Sequence, residues 1–358
     1  MGALRAKVRH RRFMRAIAVF LAALTLAGPV SGQPTSRDTW TDADLGRSLV
    51  EGAATARDLW VRGSSGTLVH FDRVTAERHI EAEDVLDLLA DGPHLWVLIS
   101  TSDFEGLVRD IRDPDFADQP VHFGGTPIAL FATGGTPGIL TTTQVLLPQA
   151  DRWITRRLAG DLEPGAHVSA LAGDVLLVGY NRGEWGGGLR RVDISSGAIS
   201  FVRELRDDRC AGRLNPACHP VVGVGPDEQD DACALVGSSL SHLGLRYGEV
   251  LRVCGNEIAP MFSHPLPAED RARTLVIGGT WPFDSFVALN DGWIAVGQDG
   301  FARARDGEVN FANLPQLHDW AGLSISEPLD GVLFLQAACC WGSEAWVQRR
   351  VIAIPVDG

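Results

Sequence analysis

One element recurs seven times along the chain: a turn residue followed by a short apolar segment that has the length of a β-strand. Neighbouring copies are separated by 36, 44, 36, 59, 58 or 59, and 39 residues, depending on how they are aligned. Strand-rich units that repeat with a period near 40 residues are typical of β-propeller blades. The copies are anchored at Leu59, Leu95, Ile139, Val175, Ala234, Trp293 and Val332.

Each copy also has the pattern of a four-stranded meander. Asp-Gly and Ser-Gly turns separate alternating segments, as in "SSGTLVHFD" and "DGFARARDGEVNF", and such dipeptides are strong hairpin signals. Beyond residue 32, a helical period extends over no more than a few residues. The sequence therefore predicts an all-β fold, a seven-bladed β-propeller of four-stranded antiparallel blades, with six or eight blades as alternatives.

Individual repeats, among them "DLWVRGSSGTLVHFD" and "GWIAVGQDGFARARDGEV", resemble the propeller repeats of periplasmic sensor and quinoprotein-like families. The resemblance covers one blade at a time, its motifs are generic, and it identifies no specific family. It implies the fold, while function on a propeller depends on the loops.

The N-terminus has the features of a secretory signal peptide over residues 1–32. Basic residues precede an apolar run from Ala16 to Val30, and small residues follow at Ser31 and Gly32. The run of about 15 residues is shorter than the roughly 20 that a membrane-spanning helix needs. We expect a periplasmic or secreted protein, with an N-terminal segment at 33–48 and the propeller at 49–358.

The charge of the exported chain disfavours anionic partners. Cleavage would remove six of the 32 basic residues, which leaves 26 against 45 acidic residues and changes the formal charge from −13 to −19. Lys7, the single lysine, would leave with the signal, so Schiff-base chemistry is excluded. The predicted partner is an unknown small molecule, glycan or protein; we expect no nucleic acid, no membrane insertion after cleavage and no cofactor.

Unusual loops concentrate on one predicted face of the propeller, in units four to seven. The connections between the second and third strands are "YNRGEWGGGLRRVD" (180–193), "SSLSHLGLRYGEV" (238–250) and "AACCWGSEAW" (337–346). Long loops are uncommon unless they are functional, so this face, at one end of the central channel, is the predicted binding face. Its candidate binding residues are Asn181, Arg182, Glu184, Trp185, His242, Arg246, Trp281, His318, Trp320 and Trp341. No catalytic residue is predicted, and the alternative is a hydrolase, lyase or redox enzyme with its site on the same face.

The glycine-rich stretch 180–193 does not match a phosphate-binding loop, because no Gly-Lys-Ser/Thr ending and no following helix are present. Its glycines could let the backbone approach a ligand or a neighbouring loop closely. In the alternative interpretation they only serve the hairpin, Arg182 and Glu184 pair with each other or with adjacent blades, and Trp185 caps the core.

The six cysteines fit an oxidising compartment, and six allow 15 connectivities. Antiparallel strands would bring Cys233 close to Cys254, and Cys210 and Cys218 close a short loop. Adjacent Cys339 and Cys340 permit a vicinal disulfide, although each could instead pair elsewhere, for example with Cys210 or Cys218. Vicinal rings contact the cofactor in quinone-binding propellers, but the tryptophan-docking repeat of that family is not legible here.

No metal site is predicted. His219, His242 and His318 fall in loops of the binding face without a ligand spacing such as His-x-His, and the acidic segment 226–232 does not match a calcium loop. Ser238, Ser239 and Ser241 lack the Gly-x-Ser-x-Gly elbow of a serine hydrolase.

Overall fold

The structure is a computed structural model that describes residues from 49 to 355 with internal gaps. The gaps are 56, 64, 73, 76, 151, 166, 205, 207–209, 243–244, 269–278, 298–299, 313–319, 326, 329–331 and 340–349, and for 49–50, 167 and 312–355 only the backbone is described. The predicted signal peptide (1–32) and N-terminal segment (33–48) lie outside the described residues. Within the described residues, no helix has the length and apolar character needed to cross a membrane.

In the described part of the chain, six sheets each contain four consecutive antiparallel strands, which are the blades of a propeller. Blade 1 consists of β1 (Leu49–Ala54), β2 (Asp58–Gly63), β3 (Leu68–Asp72) and β4 (Arg78–Ala82). Blade 2 consists of β5 (Val85–Asp91), β6 (His94–Ser102), β7 (Glu105–Asp110) and β8 (Gln119–His122). Blade 3 consists of β9 (Pro127–Phe131), β10 (Gly138–Thr141), β11 (Gln144–Gln149) and β12 (Arg152–Arg157).

The next three blades continue the pattern in chain order. Blade 4 consists of β13 (His167–Ala172), β14 (Val175–Asn181), β15 (Gly187–Asp193) and β16 (Ile199–Val202). Blade 5 consists of β17 (Val221–Pro226), β18 (Cys233–His242), β19 (Leu245–Cys254) and β20 (Glu257–Phe262). Blade 6 consists of β21 (Ser285–Leu289), β22 (Gly292–Gly297), β23 (Gly300–Arg305) and β24 (Glu308–Ala312).

The last repeat differs from the other six. β25 (Trp320–Ile325), β27 (Val332–Cys339) and β28 (Arg350–Pro355) form a sheet of three strands, and the short β26 (Glu327–Pro328) pairs in parallel with β1. The prediction of seven four-stranded blades is therefore wrong, and the alternative of six is correct. The repeat was recognised from one apolar strand in each unit. The sequence of that strand contains no information on how many other strands pair beside it.

All seven sequence anchors lie in the second strand of their sheet. These strands are hydrogen-bonded on both sides and covered by adjacent blades, so they are apolar almost throughout; the first eight residues of β18 are all buried. The fourth strands are exposed instead, as in β4 and β12. This gradient of burial explains why the second strand dominates the sequence signal.

The core lies between adjacent blades rather than within one sheet. Leu177 and Leu189 of blade 4 pack with Val221 and Val236 of blade 5. Trp96 of blade 2 packs in the same way with residues of blade 3 such as Ile139.

The antiparallel order divides the turns between two faces. Turns between the second and third strands, with the connections between blades, lie on what we call the B–C face. Turns between the first and second strands, and between the third and fourth, lie on the opposite A–B face. The stretch 180–193 spans β14, β15 and the turn between them, which places it on the B–C face as expected.

Candidate functional site

The turn between β14 and β15 is compact and internally hydrogen-bonded. Gly183–Trp185 form one turn of 3-10 helix, the Arg182 amide donates to the Gly186 carbonyl (2.9 Å), and the Gly183 amide donates to Asn181 Oδ1 (3.0 Å). Gly183 and Gly186 have φ values of 57° and 79°, which favour glycine. The sequence thus specifies a defined turn at this position.

The following glycines fit against the loop closed by the Cys210–Cys218 disulfide. The Gly187 amide donates to the Pro216 carbonyl and the Gly188 amide to the His219 carbonyl, each at 2.9 Å. A Cβ atom on Gly186 would lie 2.5 Å from backbone atoms of Ala217 and Cys218. These glycines therefore allow a close approach to a neighbouring loop, one of the functions expected of them.

Ion pairs connect the turn to the segments on both sides. Arg182 pairs with Glu163, which lies in the connection between blades 3 and 4. Glu184 Oε2 lies 3.1 Å from Nε2 of His242, at the end of β18 in blade 5. Arg182 and Glu184 therefore pair across the face and not with each other.

Trp185 points away from the core, with 75% of its surface exposed, so it does not cap the core. A second exposed aromatic residue, Phe104, lies at the equivalent turn of blade 2, between β6 and β7, and is 58% exposed. Among the large exposed apolar residues of the described chain, these are the two aromatics carried by turns, and both lie on the B–C face. The sequence carries no signal for Phe104, which is the single aromatic residue of the short turn "STSDFEG".

Blade 5 contributes a long hairpin where we expected a loop. β18 and β19 pair from Cys233 with Cys254 as far as His242 with Leu245. Ser238 and Ser239 lie inside this hairpin, and their hydroxyls donate to the carbonyls of Pro220 (3.0 Å) and Tyr247 (3.1 Å). These hydroxyls therefore support the backbone, which leaves the serine hydrolase interpretation without support.

A buried polar layer lies beneath the turn. His219 is buried, and this burial lowers its pKa. Its Nδ1 accepts a hydrogen bond from the backbone N–H of Asn215 (3.1 Å). Its ring packs edge-on against Tyr247, whose hydroxyl lies 3.3 Å from Ser238 Oγ and whose pKa burial raises. A neutral imidazole in this position joins the disulfide loop to blade 5.

A charged network that sequence analysis missed lies next to this layer. Arg213 Nη1 lies 2.9 Å from Glu204 Oε1, and Arg213 Nε lies 3.3 Å from Glu249 Oε2. Burial raises the pKa of Glu249, and the Arg213 charge opposes that shift. The arginine bridges the connection after blade 4 and β19 of blade 5, a contact between distant residues for which the sequence gives no signal.

Both local disulfides are confirmed. Cys210–Cys218 and Cys233–Cys254 have Cα separations of 5.5 Å and 4.3 Å. The first lies in the connection between blades 4 and 5 on the B–C face, and the second joins β18 to β19 near the A–B face.

The acidic turn 226–232 on the A–B face is held by an arginine. Asp227 lies 2.5 Å and Asp230 3.3 Å from nitrogens of Arg252. Asp230 is also close to the sulfurs of Cys233 and Cys254, but those sulfurs form the disulfide and cannot act as thiolate ligands. The contacts are those of a braced turn.

A cavity of about 740 Å³ opens on the A–B face. It is lined by residues of five innermost strands and the turns that follow them, and Asp91, Glu228 and Asp291 make its edge acidic. We expected a concave site at the B–C end of the channel. On that face, a cavity of about 690 Å³ lies between blades 2 and 3 and is lined by Phe104, among others.

No family model matches the chain, and no curated protein matches it significantly. Two solved structures that resemble it each share 10% sequence identity with it. "Kluyveromyces lactis Hsv2 complete loop 6CD" covers 86% of this chain and 99% of its own, with a TM-score of 0.43. "YCF48 bound to D1 peptide" covers 86% of this chain and 95% of its own, with a TM-score of 0.49.

The remaining candidates are distributed as follows. Trp281 is buried and packs against Phe283 and Phe311, so it is a core residue and is not presented on the surface. Arg246 is half-buried in β19, opposite Ser241. Only the backbone is described for Trp320 in β25 and Cys339 in β27, and His318, Cys340 and Trp341 lie outside the described residues. The vicinal disulfide stays a prediction.

Proposed function

We propose that the chain is a periplasmic or secreted propeller that recognises a protein partner through the B–C face of repeat units four to seven, with Trp185 at the centre of the contact. The observation that carries this proposal is an aromatic side chain that is 75% exposed on a turn held from three sides. The three supports are Glu163, His242 and the Cys210–Cys218 loop.

The energetics favour such a residue as a binding anchor. A tryptophan buries 150–250 Å² when it is fully covered, and tryptophan is enriched among the few residues that dominate interface energies. Because the turn is already ordered, binding would lose little conformational entropy there. A projecting side chain suits insertion into a partner's pocket, which favours a protein over a small ligand.

Phe104 supports the choice of face, because it exposes a second aromatic ring on the same side of the propeller. The disulfides support an oxidising compartment, where a structure stabilised in this way persists.

The test is site-specific photo-crosslinking in cells that produce and export the protein. Benzoylphenylalanine replaces Trp185 in one variant and Phe104 in a second. In the matched control it replaces Val74, which is 73% exposed in a turn on the A–B face. We expect a discrete crosslinked protein from position 185, with a weaker product or none from 104, and no product from 74.

The crosslinked protein is then identified, purified and titrated against the propeller. Trp185→Ala should weaken binding about 30-fold, the change expected of an interface anchor worth about 2 kcal/mol, and Val74→Ala should leave binding unchanged. Crosslinking from 74 without crosslinking from 185, or equal affinity of the Trp185→Ala variant, would overturn the proposal.

A further inference from the structure

A cluster of two histidines and a glutamate lies on blade 1, far along the chain from the B–C loops of blades 4 and 5. His70 on β3 pairs directly with His79 on β4, and Glu81 lies two residues after His79 on the same face of that strand. The three residues lie in the outer hairpin of the blade, where the fourth strand is largely exposed.

The three polar atoms of the cluster face a common point. His70 Nδ1 lies 3.1 Å from His79 Nε2 and 3.2 Å from Glu81 Oε1, and the last two atoms are 2.7 Å apart. Ligand atoms about 2.0–2.1 Å from a tetrahedral zinc ion are separated by about 3.3 Å. The triangle is thus close to the size of three corners of a metal coordination sphere.

A fourth residue, Asp58, determines which tautomer the His70 ring adopts. Its Nε2 lies 2.8 Å from Asp58 Oδ1, so in the neutral ring the Nε2–H donates to this carboxylate and the lone pair of Nδ1 faces His79 and Glu81. A metal-binding imidazole usually donates its second ring N–H to a carboxylate or a carbonyl in this way. The ring is fixed from a further direction by Trp60, which stacks on it at a centroid distance of 4.9 Å.

We propose that blade 1 binds one divalent transition-metal ion of the zinc class through His70 Nδ1, His79 Nε2 and Glu81 Oε1. Two imidazoles and one carboxylate favour zinc, copper, nickel or cobalt over magnesium or calcium, which prefer oxygen ligands. The side chain of His79 is 55% exposed, so a fourth position is open to water or to a ligand from outside.

Other histidine–carboxylate pairs of the described chain do not have this arrangement. His94 with Asp110, His122 with Glu105 and His242 with Glu184 each combine one imidazole with one carboxylate. The second imidazole and the Asp58 support distinguish the blade 1 cluster from them.

The test is titration of purified protein, without a histidine tag, with zinc by calorimetry and with cobalt by visible absorption. We expect one ion per chain and cobalt d–d bands that zinc displaces. His79→Ala and Glu81→Gln should each weaken zinc binding at least tenfold. Both positions are on the outer strand, and circular dichroism with the thermal midpoint checks that the variants are folded.

His122→Ala is the matched control, because His122 is an exposed histidine on the outer strand of blade 2 next to Glu105. It should leave zinc affinity unchanged. Asp58→Asn, which keeps the hydrogen-bonding shape but removes the charge, should weaken binding about 10- to 100-fold.

Three results would overturn the proposal: no zinc binding by the unaltered protein at 100-fold excess, equal affinity of the His79→Ala and His122→Ala variants, or a zinc affinity that Glu81→Gln leaves unchanged. None of these measurements depends on the partner of the B–C face, so they test the metal site by itself.

Discussion

The two faces of the propeller contain connections of opposite character. On the B–C face around blades 4 and 5, the connections are cross-linked by ion pairs, a disulfide and backbone hydrogen bonds, and they leave Trp185 exposed. On the A–B face, turns such as Asp193–Gly197 are tight, and the cavity there is lined largely by the innermost strands. Around blades 4 and 5 the B–C face therefore presents a projecting side chain, whereas the A–B face presents a cavity.

The difference follows from the order of an antiparallel meander. Turns inside a hairpin can be as short as two residues, whereas a connection to the next blade must cross from the outer strand to the inner one. Longer connections tolerate insertions, and here they need additional cross-links because they have no sheet of their own. The order of the B–C face therefore depends on contacts between loops.

The largest losses of unfolding free energy should come from removing a disulfide, and the two disulfides, one near each face, are removed in separate variants. Loop entropy predicts a loss of about 3.5 kcal/mol for Cys233→Ala with Cys254→Ala, and about 2.5 kcal/mol for Cys210→Ala with Cys218→Ala, because the first bridge closes the longer loop. Urea unfolding of the two double variants measures both losses. Only the second should also increase amide hydrogen exchange around Trp185; equal exchange in both variants would contradict the proposed bracing of the B–C face.

An effect smaller than the loss of the Cys233–Cys254 disulfide should distinguish the close packing of Gly186 from the positive φ of its turn. Gly186→Ala should lower the free energy of unfolding by about 3 kcal/mol, since a left-handed residue costs about 1–2 kcal/mol and the clash with Ala217 and Cys218 adds about 1–3 kcal/mol. Gly183→Ala is the matched control, because its φ is also positive but nothing lies within 4 Å of the added Cβ. It should lose only about 1–2 kcal/mol. Equal losses in urea unfolding would show that the disulfide loop does not constrain this turn.

The smallest effect should be a pH dependence of the free energy of unfolding that arises from His219, which is buried beneath the B–C face. Burial lowers the pKa of His219 in the folded protein below its ordinary value of 6.5. The unfolded state therefore takes up a proton first, so the stabilisation is present above about pH 6.5 and is lost as the pH falls towards the folded pKa. The urea midpoint should drop more between pH 7.5 and pH 5 in the unaltered protein than in His219→Gln.

Two carboxylates on the A–B face titrate well below the range from pH 5 to pH 7.5, so they serve as a check on the assignment to His219. Hydrogen bonds from Arg57 hold the pKa of Asp72 at about 2, and hydrogen bonds from Ser196 and Ser195 hold that of Asp193 at about 2. Their contributions are lost only as the pH falls towards those values. They are common to both proteins, so a pH 5–7.5 difference that persists in His219→Gln would exclude His219 as its source.

Much of the architecture could be predicted from local patterns. The buried second strands produced the apolar repeats, the glycines at 183 and 186 marked a turn that needs positive φ, and strand pairing placed Cys233 beside Cys254. Of the candidate binding residues, Arg182, Glu184, Trp185 and His242 lie together on the B–C face and Trp281 lies in the core, while their role in binding stays a prediction. A tryptophan in a connection has the same sequence signature whether it faces inward or outward.

The cluster of His70, His79 and Glu81 shows why the rest could not be predicted. The two histidines are nine positions apart, and His79 with Glu81 form a spacing found in many exposed strands. The pairing of β3 with β4 brings the three side chains together, and Asp58 contacts the far side of the His70 ring. Neither contact can be read from the local sequence.

The sequence by itself determined the strand-rich repeat, the hairpin turns and the local disulfides, because each depends on residues that are neighbours in the chain or in one hairpin. The tertiary structure decided that there are six four-stranded blades and a three-stranded sheet, which aromatic rings are exposed, and which charges meet between blades. These outcomes depend on packing between segments far apart in sequence, where burial and ion pairing are set by the neighbour and not by the local pattern.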